Sequence, residues 1–341
     1  MKIKVLHIIP DKDIGIAGQQ MLALHKNMNE DFRVLVPVGS QLKQFFEDNS
    51  LPCTTYAEMS DVKKATKLVE PDIVHTHTSH ELRILAHKMN NIKTVHTQHS
   101  AMSVKFFSKL LSRRLSHAVI ATTKEARESL FQMGTSMQKI RMIYNCVAAV
   151  EQCDDESRVR QQLNIPSDTF TVTCFASFST QTKIENVLSA AKELPYNVIM
   201  LVAGVADEYR TVLESRVRDE NLQNVRILGE IYNINDVMSI TNVQIIFDAS
   251  CHQLLFSGMS VGKPTIATSD FDYYIVQDKV NGLIIPGFGA EELDDAITRL
   301  KGDPQLYKDL SAGALSRYNN RFSVQRMARE IEEVYLGIMK A

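Results

Sequence analysis

The chain has 341 residues, of which 44% are hydrophobic, 23% charged and 7% aromatic. This length exceeds what one hydrophobic core organises and predicts two domains of roughly 150 residues each. The composition excludes a disordered, a collagen-like and a disulfide-rich protein. The formal net charge is −2, but basic residues outnumber acidic ones up to residue 150, and the reverse holds after it. A basic first half favours an anionic partner, such as a membrane surface or a phosphorylated acceptor, although it can also attract the acidic second half.

No apolar run reaches the roughly 18 residues that span a bilayer, and the chain begins with a strand-like run rather than a signal peptide. We therefore expect a cytoplasmic protein. The cysteines are odd in number and lack a C-x-x-C spacing, so the sequence favours neither a disulfide framework nor a zinc site. They are Cys53, Cys146, Cys153, Cys174 and Cys251.

Strand-like and helix-like segments alternate along the first half of the chain. A β-rich run at Ile3–Pro10 is followed by a loop with Gly15 and Gly18 and by an apolar-periodic helix at Met21–Met28. Further predicted strands are Phe32–Pro37, Asp72–Thr76, Lys93–Thr97, Ala118–Ala121 and Ile140–Tyr144. The predicted helices between them are Gln41–Asn49, His80–Met89, Met102–Ser116 and Lys124–Met133. This alternation predicts a parallel sheet that is covered on both faces.

A polar stretch interrupts the alternation before a second round of it begins. We interpret residues 151–168 as a linker between a first domain, residues 1–150, and a second domain, residues 169–322. The predicted strands of the second domain are Thr171–Ala176, Asn197–Ala203, Val225–Leu228, Val243–Phe247, Thr265–Ala267 and Gly282–Ile285. Residues 323–341 are predicted to form a closing C-terminal helix. Two doubly wound domains of this kind bind ligands at the carboxyl ends of their strands, and helix N-termini there favour phosphate.

The order and spacing of short segments along nearly the whole chain resemble the family-4 retaining glycosyltransferases, which have the GT-B fold. In the first half these segments are the Gly15–Gly18 loop and residues 71–77, 95–100, 119–125 and 143–147. In the second half they are residues 228–230, 258–266 and 280–283 and the closing helix up to Tyr335. The resemblance implies an α/β protein of GT-B class, with two Rossmann-like domains that face a central nucleotide-sugar cleft.

The resemblance also implies a donor site in which some of the family's charged groups are replaced. Lys183 matches the lysine that holds the donor diphosphate, but the arginine position is Ser177 or Phe178. The two glutamate positions hold Ala249 and Ser257, although a shift of one residue would give Asp248 the first role. Helix-terminal amides near Ser257–Ser260 can still bind phosphate. The predicted donor-binding residues are Gly15, Gly18, Lys183, Gly229, Glu230, Asp248, Ser257, Gly258 and Met259.

Histidines supply the candidate catalytic and acceptor residues. His99 matches the family histidine that lies near the reacting sugar, and the alternative is a loop histidine satisfied by the backbone. His77 and His80, at a strand end, are predicted acceptor contacts, or else solvated loop histidines. His75, His77 and His80 invite a metal interpretation, which we reject because no carboxylate or cysteine joins them and the family uses no catalytic metal. His96, within a strand, is predicted to pack.

The segment Lys105–Arg114 combines apolar residues at helical spacing with four cations. A basic amphipathic helix can lie on an anionic membrane, which would make the protein peripheral at the inner face. The alternative is an internal helix that packs its apolar face against the domain core.

These patterns predict a glycosyltransferase that moves a sugar from a nucleotide-diphosphate-sugar donor to a glycan or lipid-linked acceptor in cell-surface polysaccharide synthesis. The resemblance implies a retaining reaction without cofactor or metal, and we expect no nucleic-acid partner. The replaced donor-site residues leave an alternative, a catalytically inactive GT-B accessory protein that binds a partner enzyme or a glycan. An epimerase or phosphorylase of the same fold has no specific support.

Overall fold

A computed structural model describes residues 2–89, 92–101, 115–151, 155–175, 181–195, 197–203, 207–229, 233–247 and 252–340. The chain divides into two compact units. Unit 1 combines Met1–Cys146 with Val324–Ala341, and unit 2 is Val147–Ser323. Each unit contains one parallel sheet with helices packed against it, so the prediction of two Rossmann-like α/β domains is confirmed.

The sheet of unit 1 has seven parallel strands in the order β3-β2-β1-β4-β5-β6-β7. Its strands are β1 (Lys4–Ile8), β2 (Asp31–Pro37), β3 (Cys53–Tyr56), β4 (Ile73–His77), β5 (Lys93–Gln98), β6 (Ala118–Ala121) and β7 (Ile140–Met142). The strand order reverses between β1 and β4. That reversal is the switch point, where doubly wound sheets open a crevice for ligands.

Six described helices cover the sheet of unit 1. They are α1 (Ile16–Asn27), α2 (Gln41–Asp48), α3 (Met59–Val69), α4 (His80–His87), α5 (Lys124–Gln132) and, from the end of the chain, α13 (Val324–Lys340). Hydroxyl side chains define where three of them begin, because each accepts a hydrogen bond from a backbone amide of the first turn. These caps are Ser40 for α2, Ser79 for α4 and Thr123 for α5.

The sheet of unit 2 has six parallel strands in the order β10-β9-β8-β11-β12-β13. Its strands are β8 (Phe170–Phe175), β9 (Val198–Ala203), β10 (Val225–Gly229), β11 (Val243–Ile245), β12 (Thr265–Thr268) and β13 (Gly282–Ile285). The described helices are α6 (Glu156–Gln162), α7 (Gln181–Ala191), α8 (Asp207–Asp219), α9 (Ile234–Ile240), α10 (His252–Ser260), α11 (Ala290–Gly302) and α12 (Pro304–Arg317). The switch point of this sheet lies between β8 and β11.

The structure divides the chain differently from the predicted domain limits in two places. Within the predicted linker, α6 packs Val159 against Ile199 and Ile240 of unit 2, because the apolar face of this short helix needs cover. The closing helix α13 belongs to unit 1, where Met327 and Tyr335 are buried. The sequence analysis did not predict β3 and α3, although Val62, Ala65 and Val69 have the spacing of one helix face. The helix predicted at Met102–Ser116 falls largely on residues 102–114, outside the described residues.

Among the described residues, no helix combines the length and the apolar character that crossing a membrane requires.

Two helical glycines differ in the space around them and give a matched test of the packing of unit 2. A Cβ atom added at Gly313 in α12 would lie 1.8 Å from the backbone oxygen of Val280, whereas one added at Gly337 in α13 meets nothing within 4 Å. We expect Gly313→Ala to lower the stability of the protein by about 1–3 kcal/mol, because the backbone must shift. Gly337→Ala should raise it by about 0.5–1 kcal/mol through helix propensity. Thermal unfolding measures both, and equal midpoints for the two variants would contradict this packing.

Candidate histidine site at the strand ends of unit 1

The central strands of unit 1 bring a set of histidines to one face of the sheet. His7 on β1 pairs with His75 on β4 in the parallel register, and His77 follows two residues later on the same face. His99 comes directly after β5, the next strand of the sheet. Successive side chains of a strand point to opposite faces, so the neighbouring residues Leu6, Ile8 and Val74 form the apolar core of the other face.

Three of these imidazoles form one hydrogen-bonded chain. His7 Nδ1 lies 3.1 Å from His77 Nε2. His77 Nδ1 lies 3.2 Å from His99 Nε2. The outer nitrogens of the chain, His7 Nε2 and His99 Nδ1, are buried and have no hydrogen-bond partner among the described residues. This row of hydrogen-bonded histidines therefore runs from His7, inside the sheet, to His99, at the end of a strand.

His75 lies against this chain but is satisfied elsewhere. Its Nδ1 is 2.6 Å from the hydroxyl of Tyr335 on α13, and its Nε2 is 2.7 Å from Thr97 Oγ1. Its ring stacks on that of His77 with centroids 4.5 Å apart. Tyr335 of the C-terminal helix thus holds His75 in place beside the three hydrogen-bonded histidines.

Burial keeps these histidines neutral. Desolvation lowers the pKa of His7 to about 3 and that of His99 to about 4. It also lowers the pKa of His75 and His77 well below the ordinary value, and the neighbouring imidazoles add to this effect. A protonated ring would lose its hydration, and a proton on a second ring would add repulsion between the two charges. Near neutral pH each imidazole therefore has one N–H donor and one acceptor nitrogen.

A metal interpretation of this cluster now involves a different set of residues from the predicted one. His7, rather than His80, joins His75 and His77, and one nitrogen from each of the three lies within 4.8 Å of the others. Imidazole is a common zinc ligand. However, both ring nitrogens of His75 already form hydrogen bonds with Thr97 and Tyr335. Binding by all three histidines would break one of these bonds.

The predicted role of His77 as an acceptor contact is corrected by this geometry. His77 is fully buried, and each of its ring nitrogens is hydrogen-bonded to another histidine, so it lies behind His99. His80 is half-buried at the start of α4, and its ring nitrogens have no partner among the described residues. His96 packs as predicted, because it is buried and bonded to Thr76 and Gln98.

The two glycines of the first βα loop have different surroundings. Gly15 is exposed and precedes α1, a Cβ atom added there meets nothing within 4 Å, and its own amide donates to the carbonyl oxygen of Asp13. Gly18 lies inside α1, where an added Cβ would come 2.4 Å from Leu42 Cδ2. The predicted donor-binding role of Gly18 is therefore corrected, because the residue lets α1 and α2 pack closely.

The predicted residues of α10 also need correction. This helix begins at His252, so Ser257–Ser260 lie in its last turns and their amides are not at a helix N-terminus. Ser257 is buried and its hydroxyl donates to the backbone oxygen of Gln253. Gly258 is buried against the Gln244 side chain, which an added Cβ would meet at 2.2 Å, and Met259 is buried completely. Gly258 and Met259 thus pack the helix on the sheet of unit 2.

Two other predicted donor residues, Lys183 and Gly229, lie in the described part of unit 2. Lys183 is in the first turn of α7, which follows β8 beside the switch point, and Gly229 ends β10. The remaining predicted positions lie outside the described residues. They are Ser177, Phe178, Glu230, Asp248, Ala249 and the segment Lys105–Arg114.

Sequence reasoning missed His7 and Tyr335 as members of the site. A histidine inside the apolar run of β1 was the available signal, but only the pairing of β1 with β4 shows that it meets His77. A groove of about 520 Å³ lies elsewhere in unit 1, lined by residues that include Lys139, Arg141 and Glu333. That groove runs along the edge strand β7, away from the switch point at which sheets of this type bind ligands.

Comparison with known proteins gives the same class as the fold. The Anabaena protein Alr3699/HepE, solved in complex with UDP, is 19% identical with a TM-score of 0.84, and the match covers 98% of this chain and 100% of that one. A glycosyltransferase from Rickettsia africae is 18% identical with a TM-score of 0.83, and 99% of each chain is covered. The chain therefore has the GT-B fold, as its sequence predicts.

Family models match both halves of the chain. The model described as Glycosyltransferase Family 4 matches residues 24–149, and the model described as Glycosyl transferases group 1 matches residues 155–317. Together they cover most of the chain, which belongs to this family of glycosyltransferases. A curated relative, the lipopolysaccharide core biosynthesis glycosyltransferase LpsD of Rhizobium meliloti (strain 1021), is 28% identical over 185 residues. The match covers 52% of each protein, so the chain spans about half the length of this relative.

The buried neutral histidines predict that the stability of unit 1 falls as the pH is lowered. The unfolded chain protonates its histidines near pH 6.5, whereas His99 and His7 stay neutral in the folded domain down to about pH 4 and about pH 3. Their contribution is complete above about pH 6.5 and is lost below it, at about 1.4 kcal/mol per histidine and pH unit.

Denaturant unfolding at about pH 7 and about pH 5.5 measures this loss. His7→Phe, which removes one of these groups but keeps an aromatic ring, should lose less stability between the two pH values than the wild type. The same change in unfolding free energy for both proteins would contradict a neutral, buried His7.

Proposed function

We propose that this protein transfers a sugar from a nucleotide-diphosphate-sugar donor to a glycan or lipid-linked acceptor in cell-surface polysaccharide synthesis. The observation that carries the proposal is the match of a glycosyltransferase family model to each of the two domains, in order along the chain. LpsD, which acts in lipopolysaccharide core biosynthesis, supports the surface-glycan setting. Alr3699/HepE has been solved with UDP and with UDP-glucose, which supports a nucleotide sugar as donor.

In unit 1 we propose residues that contact the sugar and the acceptor. Gly15 is exposed and precedes a 12-residue helix, so the donor can approach the backbone amides of the first turn of α1. His99 comes directly after the central strand β5, and its Nδ1 is buried without a partner among the described residues, so we propose that an oxygen of the substrate forms the missing hydrogen bond. His80, whose two ring nitrogens are buried and have no partner among the described residues, is the proposed acceptor contact.

In unit 2 we propose a single residue that binds the donor diphosphate. We assign this role to Lys183, which is in the first turn of a helix that follows the first strand of this domain. A lysine bound to phosphate oxygens forms charge-assisted hydrogen bonds and stabilises the leaving diphosphate as its charge develops. Gly229, Glu230 and Asp248 remain proposed donor contacts.

The proposed chemistry demands little beyond alignment and electrostatics. When the protein holds donor and acceptor in reactive geometry, most of the entropy cost of bringing them together is met on binding and no longer adds to the barrier. The acceptor hydroxyl attacks the anomeric carbon, the bond from that carbon to the diphosphate breaks, and the hydroxyl proton leaves with the diphosphate. We propose retention at the anomeric carbon and no metal, with Lys183 and helix amides neutralising the diphosphate. Binding to an anionic membrane through Lys105–Arg114, at the inner face, would bring the enzyme to a lipid-linked acceptor.

A second function is favoured by a specific observation in unit 2. The positions that match the family's arginine and two glutamates hold Ser177 or Phe178, Ala249 and Ser257, and the Ser257 hydroxyl is bonded within its own helix. A protein that has lost these groups would bind donor weakly and serve as an accessory partner of another enzyme. The two functions differ in one measurable property, the binding of a nucleotide sugar.

Calorimetric titration with UDP-glucose and with a GDP sugar tests the proposal. We expect saturable binding of one donor, and we expect Lys183→Ala to weaken it roughly 10- to 100-fold, the effect of one charge-assisted hydrogen bond of about 1.5–3 kcal/mol. Lys192→Ala is the matched control, because Lys192 lies just beyond the same helix and forms an exposed ion pair with Glu220. Absence of binding to either nucleotide sugar would contradict the enzyme and favour the accessory protein.

A further inference from the structure

The hydrogen bonds between His7, His77 and His99 restrict which nitrogen of each ring can carry the proton. Each neutral imidazole has one N–H donor and one acceptor nitrogen, so a single hydrogen bond fixes the tautomer of the next ring. With two hydrogen bonds in series, the three rings have only two consistent arrangements. All three rings must donate from Nδ1, or all three must donate from Nε2.

Each arrangement leaves one donor and one acceptor unpaired, at opposite ends of the chain. If the rings donate from Nδ1, the unpaired N–H is on His99 and the unpaired acceptor is His7 Nε2. If they donate from Nε2, the unpaired N–H is on His7 and the unpaired acceptor is His99 Nδ1. The choice depends on which end tolerates an unpaired N–H.

The surroundings favour an N–H at the His99 end. His7 is fully buried within the sheet face, and its ring stacks on Phe32 with nearly parallel planes and ring centroids 4.8 Å apart. Buried N–H groups without a partner are rarer in proteins than unpaired acceptors. His99 Nδ1 is buried as well, but His99 is 7% exposed and follows the end of β5, at the edge of the sheet where doubly wound domains bind ligands, so a ligand oxygen that enters there can accept its hydrogen bond. The first arrangement, in which all three rings donate from Nδ1, thus places the unpaired N–H on His99, where a ligand oxygen can accept it.

We propose that His7 and His77 are positioning residues that hold His99 as the Nδ1–H tautomer, so that His99 donates a hydrogen bond to a hydroxyl or phosphate oxygen of the donor. This inference rests on the proposed function for the identity of the ligand. It assigns His99 a defined chemical role, because an Nδ1 that bears hydrogen has no lone pair with which to act as a general base. The acceptor proton then leaves with the diphosphate rather than with His99.

A neighbouring histidine, His96, provides a control, because it is not one of the three histidines that are hydrogen-bonded to one another. His96 is equally buried, but its ring is bonded to Thr76 and to Gln98. His96→Gln therefore removes a buried imidazole close to the site and leaves the hydrogen bonds of His7, His77 and His99 in place.

The tautomer of His99 is measured directly by NMR of the whole chain with ¹⁵N-labelled histidine, in which protonated and unprotonated ring nitrogens have well-separated shifts. The His99 signals are assigned by their loss in His99→Gln. We expect Nδ1 protonated in the wild type and in His96→Gln, and a mixture of tautomers in His77→Phe. A wild-type His99 protonated at Nε2 would overturn the inference. If His77→Phe does not fold, His7→Phe tests the same bias from the far end of the chain.

Kinetics with UDP-glucose and its acceptor extend the test to the ligand. His77→Phe should lower kcat/KM by roughly 3- to 10-fold, the effect of one neutral hydrogen bond, while His96→Gln stays near the wild-type value. Titration with UDP alone separates a phosphate contact from a sugar contact, because only a phosphate contact weakens UDP binding in His77→Phe. If no sugar is transferred or bound, the proposed function fails, whereas the NMR result still decides the tautomer. An unchanged tautomer in both His77→Phe and His7→Phe would refute positioning.

Discussion

The parallel pairing of β1 with β4 is the constraint on which the site in unit 1 depends. In this register Leu6 is opposite Val74, and His7 is opposite His75. Because side chains alternate across a strand, the pairing gathers aliphatic residues on one face and imidazoles on the other. A slip of one residue would place His7 among the residues that contact α3 and α4, where it has no hydrogen-bond partner. The register therefore specifies the fold and the histidine site at the same time.

The C-terminal helix α13 completes the packing of unit 1. Helix α13 returns to unit 1, and its Tyr335 is bonded to His75, while Met327 contacts Gln20 of α1 and the amide of Cys146. A fully buried tyrosine hydroxyl needs a partner, and His75 supplies it. This bond and the one between Thr97 and the other ring nitrogen leave His75 with no free nitrogen for His7, His77 or His99.

Sequence patterns were sufficient for the elements that carry strong periodicity. The alternation of strands and helices predicted two parallel sheets, and the position of His96 inside a strand predicted that it packs. The partners of His77 were beyond reach, since they come from β1 and from the residue after β5, and pairing between distant strands leaves no local pattern. Gly18 and Gly258 were misinterpreted for a related reason. A glycine that faces Leu42 or Gln244 and one that faces a ligand look alike in sequence, and only the packed neighbours distinguish them.

Unit 1 thus brings together a seven-stranded sheet, an exposed glycine and a histidine whose tautomer we propose is set by His7 and His77. The direct test of this account is a double-mutant cycle between His7 and His99 in the transfer reaction, since His7 is proposed to act only through His99. Values of kcat/KM would be measured for the wild type, His7→Phe, His99→Gln and the double variant. The account predicts that His7→Phe lowers kcat/KM in the wild type and has no further effect once His99 is replaced. Full additivity of the two substitutions would contradict it.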